Sequence, residues 1–425
     1  MTHTDYTKNI LNIKDNNIYF YENCLETKKE NGLEVKVFHG YLTYNPEYCD
    51  KCGAVNEGIN DIINWGFDRN CLIKIPKISN FNTILLLDKQ RFYCKHCHST
   101  FSAKTSLVDF HKQISNDSKL SVIMDLMNKG SEKDISKRNN ISTNSTNRIL
   151  DEISNDKLVK NNGLLPEIIG IDEFSATKDT ISKMAFIIVD QTNKNIFDIN
   201  NSRKSIDIEK YFKHYSRKER KNVKFITLDL YKPYYKLMHS LFKNAILIPD
   251  RFHIVIQARN ALDKTRIKLC IKSNPNYNKL KKYWKLILKD KRKLDKKYQN
   301  CFRKDMSQYD IVTYLINTNE ELYETYQIYQ SILYSIDTKN KDIFLSIING
   351  KKTKISRYMK KAIKTFKDME QYILNAFDYE YSNGIVEGTN NVIKQIKHIA
   401  CGYRKFKHLK SRIMLIKGLL NPIKA

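Results

Sequence analysis

Pro166-Glu-Ile-Ile-Gly-Ile-Asp-Glu-Phe174 is an apolar run that ends by presenting a carboxylate, Asp172. A short isoleucine-rich run bounded by polar residues predicts a buried strand. Outward from it, residues 181–189 alternate Met184, Phe186 and Ile188 with Ala185, Ile187 and Val189, and 195–199 follow after a polar turn. Three strands in a meander are expected. A helix is predicted from Ser205 to Tyr215, then strands at 223–228 and 245–248, the first ending at Asp229 and the second near Asp250.

The order β-β-β-α-β-α-β predicts a ribonuclease H-like α/β core. In that arrangement the first acid lies on the first strand and the second just past the fourth, and these two strands are neighbours. Asp172 and Asp229 are therefore expected to share one metal ion, with Asp250 and His253 as a supporting pair or the rival second acid. A third acid is expected from a late helix. Read as helical, 382–398 puts Ile385, Val392, Ile396 and Ile399 on one face and Glu387, Asn391, Lys394 and His398 on the other. Glu387 is expected to face metal, and Lys394 and Lys397 DNA phosphate.

Upstream, Cys49-Asp-Lys-Cys52-Gly53 and Cys94-Lys-His-Cys97 form two Cys-x-x-Cys pairs, the spacing of a closed four-thiolate Zn²⁺ site. The long gap between them holds strand-like segments at 71–75, 83–87 and 90–93, which suit a zinc ribbon with an elaborated hairpin. Such a site supports folding rather than chemistry. The remaining cysteines, Cys24, Cys71, Cys270, Cys301 and Cys401, are scattered and are assigned none.

Between the ribbon and the core, Leu120, Ile123, Met124 and Met127 predict one helix, stopped at Gly130. Ser131 with Asp134 predicts the cap of a short second helix, and Ser142 that of a third, whose Ile149, Leu150 and Ile153 face inward. This is the layout of a helix-turn-helix, with Asn144, Ser145, Asn147 and Arg148 placed to reach base edges.

The formal charge of +28 over 425 residues points to a polyanionic partner. Abundant Lys, Asn and Ile are also what an AT-rich genome produces, so charge alone leaves both readings open. The start, MTHTDYTKNI, is polar, and no apolar run approaches the roughly 18 residues of a membrane helix. A cytoplasmic protein without membrane partners is expected, in which nine cysteines serve as metal ligands or core residues rather than disulfides.

Gly170-Ile-Asp-Glu-Phe174, Leu228-Asp-Leu-Tyr-Lys-Pro-Tyr234, Pro249-Asp-Arg-Phe-His253, Asn383-Gly-Ile-Val-Glu-Gly-Thr-Asn390 and Ile396-Lys-His-Ile-Ala-Cys-Gly-Tyr-Arg404 resemble the successive motifs of bacterial DDE insertion-sequence transposases of the ISL-three family. The cysteine pairs and the helix-turn-helix are similar to that family's N-terminal modules. One departure is His98, where a glycine often follows the second pair. The resemblance implies a catalytic triad of Asp172, Asp229 and Glu387 holding Mg²⁺ or Mn²⁺, and double-stranded DNA, both element ends and target, as the partner. Arg404 joins the expected DNA contacts, and synapsis of two ends implies a homo-oligomer. Two other readings stay open: a DNA-binding regulator that keeps the core as scaffold, and a repair nuclease without end preference. Five segments are expected: a zinc module (1–112), a helix-turn-helix (113–160), the core (161–267), an all-α insertion (268–376) and the core's C-terminal helical part (377–425).

Overall fold

Seven consecutive residues, Met184–Asp190, are buried at every position except the two ends, as a strand covered on both faces must be. In the computed structural model this strand, β2, lies between β1 (Ile168–Ser175) and β3 (Asn195–Asn200) in an antiparallel meander. Ile181 and Lys183, expected at the head of β2, form a turn instead, with Ile181 exposed and Lys183 at φ +54°. The chain continues through α1 (Ser205–Lys213), β4 (Phe225–Leu228), α2 (Lys232–Leu241), β5 (Ile246–Pro249) and the long helix α3 (Arg251–Leu269). The sheet order is β5-β4-β1-β2-β3, with β4 parallel to both β1 and β5.

The structure describes residues 2–30, 32–57, 61–156, 164–302, 304–351 and 353–420, so the expected boundary at 160/161 lies outside them. Two compact units result, Lys160–Val392 and Met1–Val159 with Ile393–Ala425. The segment expected as 377–425 is thus divided within helix α4 (Gly384–Ile399), and its last part belongs with the N-terminal residues.

In the first of these units one core runs from Leu165 through Ile226 and Leu228 of β4 to Leu262, Leu322, Phe344, Phe366 and Phe377. The helices expected as an insertion share that core with the sheet. Asn375 donates to the Leu247 carbonyl at 2.9 Å, tying the last of them to β5. The insertion is not all-α, because Gln299–Cys301 pairs antiparallel with Lys304–Met306.

The other unit holds a sheet of Ile18–Glu30, Leu33–Leu42, Phe81–Cys94 and Ile62–Ile78, with Thr100–Ser102 alongside Phe81–Cys94. The gap between the cysteine pairs is therefore one long hairpin. Helices Asn116–Leu126, Glu132–Arg138 and Thr143–Asp156 follow. Ser131 and Ser142 cap the second and third as expected, accepting from the amides of Asp134 (3.0 Å) and Ser145 (3.1 Å). The stripe expected on the first helix is displaced: Leu120 and Met124 are exposed, and Ser118, Val122 and Leu126 face inward. Ser118 sets this rotation by donating to the Lys74 carbonyl at 3.1 Å. The C-terminal helix Phe406–Ile416 packs on the bundle, and its fully buried Arg412 donates to the carbonyls of Leu126, the last residue of the first helix, and of Asn128 and Gly130 in the turn that follows. Among the described residues, no helix is long and apolar enough to cross a membrane.

Candidate active site

Gly170 of β1 lies opposite Thr227 of β4, and Leu228 of β4 lies opposite Pro249 of β5. Two residues beyond the first pair come Asp172 and Asp229, and one beyond the second come Asp229 and Asp250. The register of three neighbouring parallel strands thus sets three carboxyls in a row, with Asp229 in the middle. Its carboxyl is pushed up to about 8, first by burial and then by the charges of Asp172 and Asp250. Burial likewise raises those of Asp172 and Asp250.

Each acid has a different tether. Asp172 accepts from the Glu173 amide and from Asn390 Nδ2, both at 2.7 Å. Asp229 Oδ1 lies 3.1 Å from His253 Nε2, but without the angular geometry of a hydrogen bond. Asp250 caps α3, accepting from the Phe252 amide at 3.2 Å.

Glu387 stands at the rim, exposed on the first turn of α4. Its charge reaches Asp250, whose carboxyl it helps to raise after burial. Asn390, one turn further on the same helix, is the residue that touches Asp172, so Glu387 shares the face turned to the sheet edge. Among the described residues, the oxygens of these acids do not all gather within 4.8 Å of one another.

What holds α4 there is a buried polar relay. Thr227 Oγ1 donates to Asn383 Oδ1 at 2.6 Å, and Asn383 Nδ2 donates to the Ile171 carbonyl at 3.1 Å. Gln191 Nε2 reaches both Thr227 Oγ1 (2.5 Å) and the Ser382 carbonyl (3.0 Å). Gly170 makes the approach possible, since a Cβ there would stand 2.5 Å from Val386 Cγ2 and 2.7 Å from Gln191 Nε2. The buried stripe of α4 is accordingly Val386, Thr389, Asn390, Ile393 and Ile396, a correction to the expected one: Ile399 is exposed and Ile385 and Val392 are half-buried. The sequence reading missed Asn390, Asn383, Gln191 and Thr227. The i, i+3 spacing of Glu387 and Asn390 was the available signal for the first.

The site's donor set fits a hard cation. Asp229 Oδ1 and Asn390 Oδ1 are buried oxygens without a hydrogen-bond partner, and once a cation displaces the Asp229 proton both can only accept.

The four thiols expected to bind zinc do converge. Cys49 Sγ and Cys97 Sγ are 3.7 Å apart, Cys52 Sγ and Cys94 Sγ 3.9 Å, and all four lie within 4.8 Å of one another. A tetrahedron with Zn–S bonds of ~2.3 Å has S···S edges of ~3.8 Å, so the spacing is that of a Zn²⁺ site. Each pair ends on a left-handed residue, Gly53 at φ +75° and His98 at +55°. That accounts for glycine's advantage after the second pair; His98 manages the turn while its Nδ1 bonds the Tyr93 hydroxyl at 2.9 Å.

Of the expected DNA contacts, Asn144, Arg148, Lys394 and Arg404 are exposed. Arg148 Nη2 donates to Ser145 Oγ at 3.3 Å. Asn147 is half-buried with Oδ1 shut away from solvent, and Lys397 is half-buried, which lowers its ammonium pKa.

The strand register thus brings Asp172, Asp229 and Asp250 into one row, and four thiols converge elsewhere in the chain. A transposase family model matches residues 169–413, more than half of the sequence, and the chain belongs to that family, the DDE transposases of the ISL-three type. A curated protein of Lactococcus lactis subsp. lactis, named ATP-dependent protease, is 32% identical over 127 residues, or 29% of this chain and 41% of that protein. The chain thus spans about two-fifths of the length of that relative.

Proposed function

We propose that this protein binds the terminal inverted repeats of an insertion sequence, then cleaves and joins DNA with Asp172, Asp229 and Glu387 on a ribonuclease H-like core. The observation that carries the reading is the strand register, which aligns Asp172 with Asp229 inside the segment matched by the transposase family. Asp172, Asp229 and Glu387 would hold Mg²⁺ or Mn²⁺. A pair of such ions would supply an activated water on one side and steady the departing 3′-oxygen on the other.

The chain's own residues do the positioning. Asn390 orients Asp172, His253 sits against Asp229, and Asp250 supports the row as the cap of α3. Asn144, Ser145 and Arg148 read the element end and exposed Lys394 and Arg404 take phosphate, while half-buried Asn147 and Lys397 would contribute only after their side chains turn outward. Zn²⁺ on Cys49, Cys52, Cys94 and Cys97 stabilises the N-terminal sheet. Synapsis of two ends calls for a homo-oligomer, working on DNA in the cytoplasm. The printed name of the Lactococcus protein does not carry over. The phosphate-loop pattern Gly-x₄-Gly-Lys-Ser/Thr does not occur in this sequence, and the shared segment is a minority of both chains.

The alternative, a regulator that binds DNA without cutting it, draws on one observation, the place of Glu387 at the rim rather than in the aspartate row. Duplexes taken from the DNA flanking the gene, incubated with the full-length protein and Mn²⁺ or Mg²⁺, separate the two. Nicking at the element boundary followed by strand transfer is expected. Asp172→Ala, Asp229→Ala and Glu387→Ala should each abolish cleavage while sparing end binding. Binding with no nicking at all would favour the regulator, and an active Asp229→Ala beside a dead Asp250→Ala would move the second acid to Asp250.

A further inference from the structure

Beside the aspartates an open cleft of 580 Å³ is lined by Asp172, Asp229, Tyr231, Met184 and two cations, Arg203 and Lys204. Arg203 is braced there. Its Nη1 donates to Glu173 Oε2 at 2.8 Å, the Tyr234 hydroxyl donates to Glu173 Oε1, and the same hydroxyl lies 3.1 Å from the Arg203 carbonyl. Glu173 follows Asp172 directly in sequence, yet both its oxygens are engaged by these two partners. It acts as an anchor for Arg203 rather than as a further acid of the row.

The guanidinium has five N–H donors in a fixed fork, and the bond to Glu173 uses one. Its side chain is 49% exposed, against 20% for Glu173, so the anchor is sheltered while the cation stays open to the cleft. Lys204, next along the chain, is exposed and lines the same cleft. A pocket lined by two carboxylates together with a pre-oriented Arg and an exposed Lys suits a ligand that bears several anionic oxygens in sequence. One phosphate would go to the metal-holding acids and the adjacent one to the cations. A phosphodiester chain has that chemistry; a peptide or an uncharged metabolite does not.

Resting on the DNA-cleavage reading, we propose that Arg203, anchored by Glu173 and Tyr234, binds the phosphate next to the scissile one and so sets the register of the strand in the cleft. Arg203 is a positioning residue in this assignment, since the reacting atoms stay with the acids. Bracing matters because a side chain already held in its bound rotamer loses less entropy on binding.

The test is a cycle between protein and substrate. Flanking-DNA duplexes, each carrying one neutral methylphosphonate at successive positions around the cleaved bond, are cut by the full-length protein and by Arg203→Ala and Arg203→Lys in Mn²⁺. For the parent protein, one position adjacent to the cut should slow cleavage by ~10–100-fold, the size of a lost charge-assisted hydrogen bond. Arg203→Ala should show a similar loss on unmodified DNA and little further loss at that one position, and its salt slope of binding should fall by about one. Arg203→Lys should recover part of the rate, because charge is kept and the fork is lost.

Losses that multiply at every position, or a melting temperature that falls with no change in the methylphosphonate profile, would overturn the assignment and leave Arg203 as the structural partner of Glu173. Should Arg203→Ala fail to fold, the same comparison with Arg203→Lys decides. If the parent protein cuts no flanking duplex, the cleavage reading falls first and this one with it.

Discussion

Asp229 carries the largest burden of any carboxyl in the row, because it is the one with a neighbour on each side. Its proton is held more tightly in the folded chain than in the unfolded one, from the ordinary 3.8 up to about 8. Between those two values the folded protein binds more protons than the unfolded, so stability falls as pH rises through the window and is greatest below it. In chelator, the melting temperature of the protein should therefore drop as pH climbs from mildly acidic to about 8, and Asp229→Asn should flatten the drop. Adding Mn²⁺ should restore most at the alkaline end, where protons no longer compete for the oxygens; an Mn²⁺ effect independent of pH would contradict this. Gly170 poses a steric question instead. A valine there drives its Cβ into Val386 and Gln191, at 2.5 and 2.7 Å, and must push α4 off the sheet. Overpacking of this kind costs about 1–3 kcal/mol, but displacing Glu387 by even an ångström should cost ~10²-fold in rate. Cleavage should thus fall far more than thermal stability when both are measured on Gly170→Val.

Among the elements, the one whose role the sequence hides best is the C-terminal helix Phe406–Ile416. Arg412 is fully buried and uses its guanidinium to satisfy carbonyls at the end of the first bundle helix and in the turn that follows, which would otherwise be orphaned. His408 Nε2 lies 3.1 Å from Asp151 Oδ1, and Ser411 meets Ser154, so the contact extends along the third helix too. Arg412→Met should destabilise this unit by about 3 kcal/mol, the cost of buried polar groups left unpaired. End binding measured near the melting point should weaken while zinc content stays intact; unchanged binding and unfolding would show the helix to be dispensable. The first bundle helix teaches a related lesson. Leu120, Ile123, Met124 and Met127 have helical spacing, but Ser118 bonded to the Lys74 carbonyl turns Val122 and Leu126 inward instead. Periodicity located the element, and one polar bond to a distant strand chose its face.

At the scale of the whole molecule, local signals were legible and long-range ones were not. Apolar runs located all five strands of the acid-bearing sheet to within a few residues, and cysteine spacing located four thiols that do converge. The α4 stripe keeps Ile396 but departs from the expected one at Ile385, Val392 and Ile399, because burial of Val386 depends on Gly170, more than two hundred residues earlier. The return of residues 393–425 to the N-terminal unit was hidden for the same reason. Charge is the property that no local pattern resolves: +28 is either a DNA footprint or the imprint of a lysine-rich codon usage. Salt decides between them. If exposed cations such as Arg148, Lys394 and Arg404 meet phosphate, binding releases condensed counterions and log K falls linearly with log salt. With about six to ten phosphates neutralised, affinity for a duplex should drop by ~10³–10⁵ between about 50 and 200 mM salt. Charge carried only by composition would leave no ordered set of contacts, and the titration would be shallow. The slope, taken on the full-length protein by fluorescence anisotropy, therefore counts the phosphates in contact, and a slope near zero would remove electrostatics from the account of how this protein finds DNA.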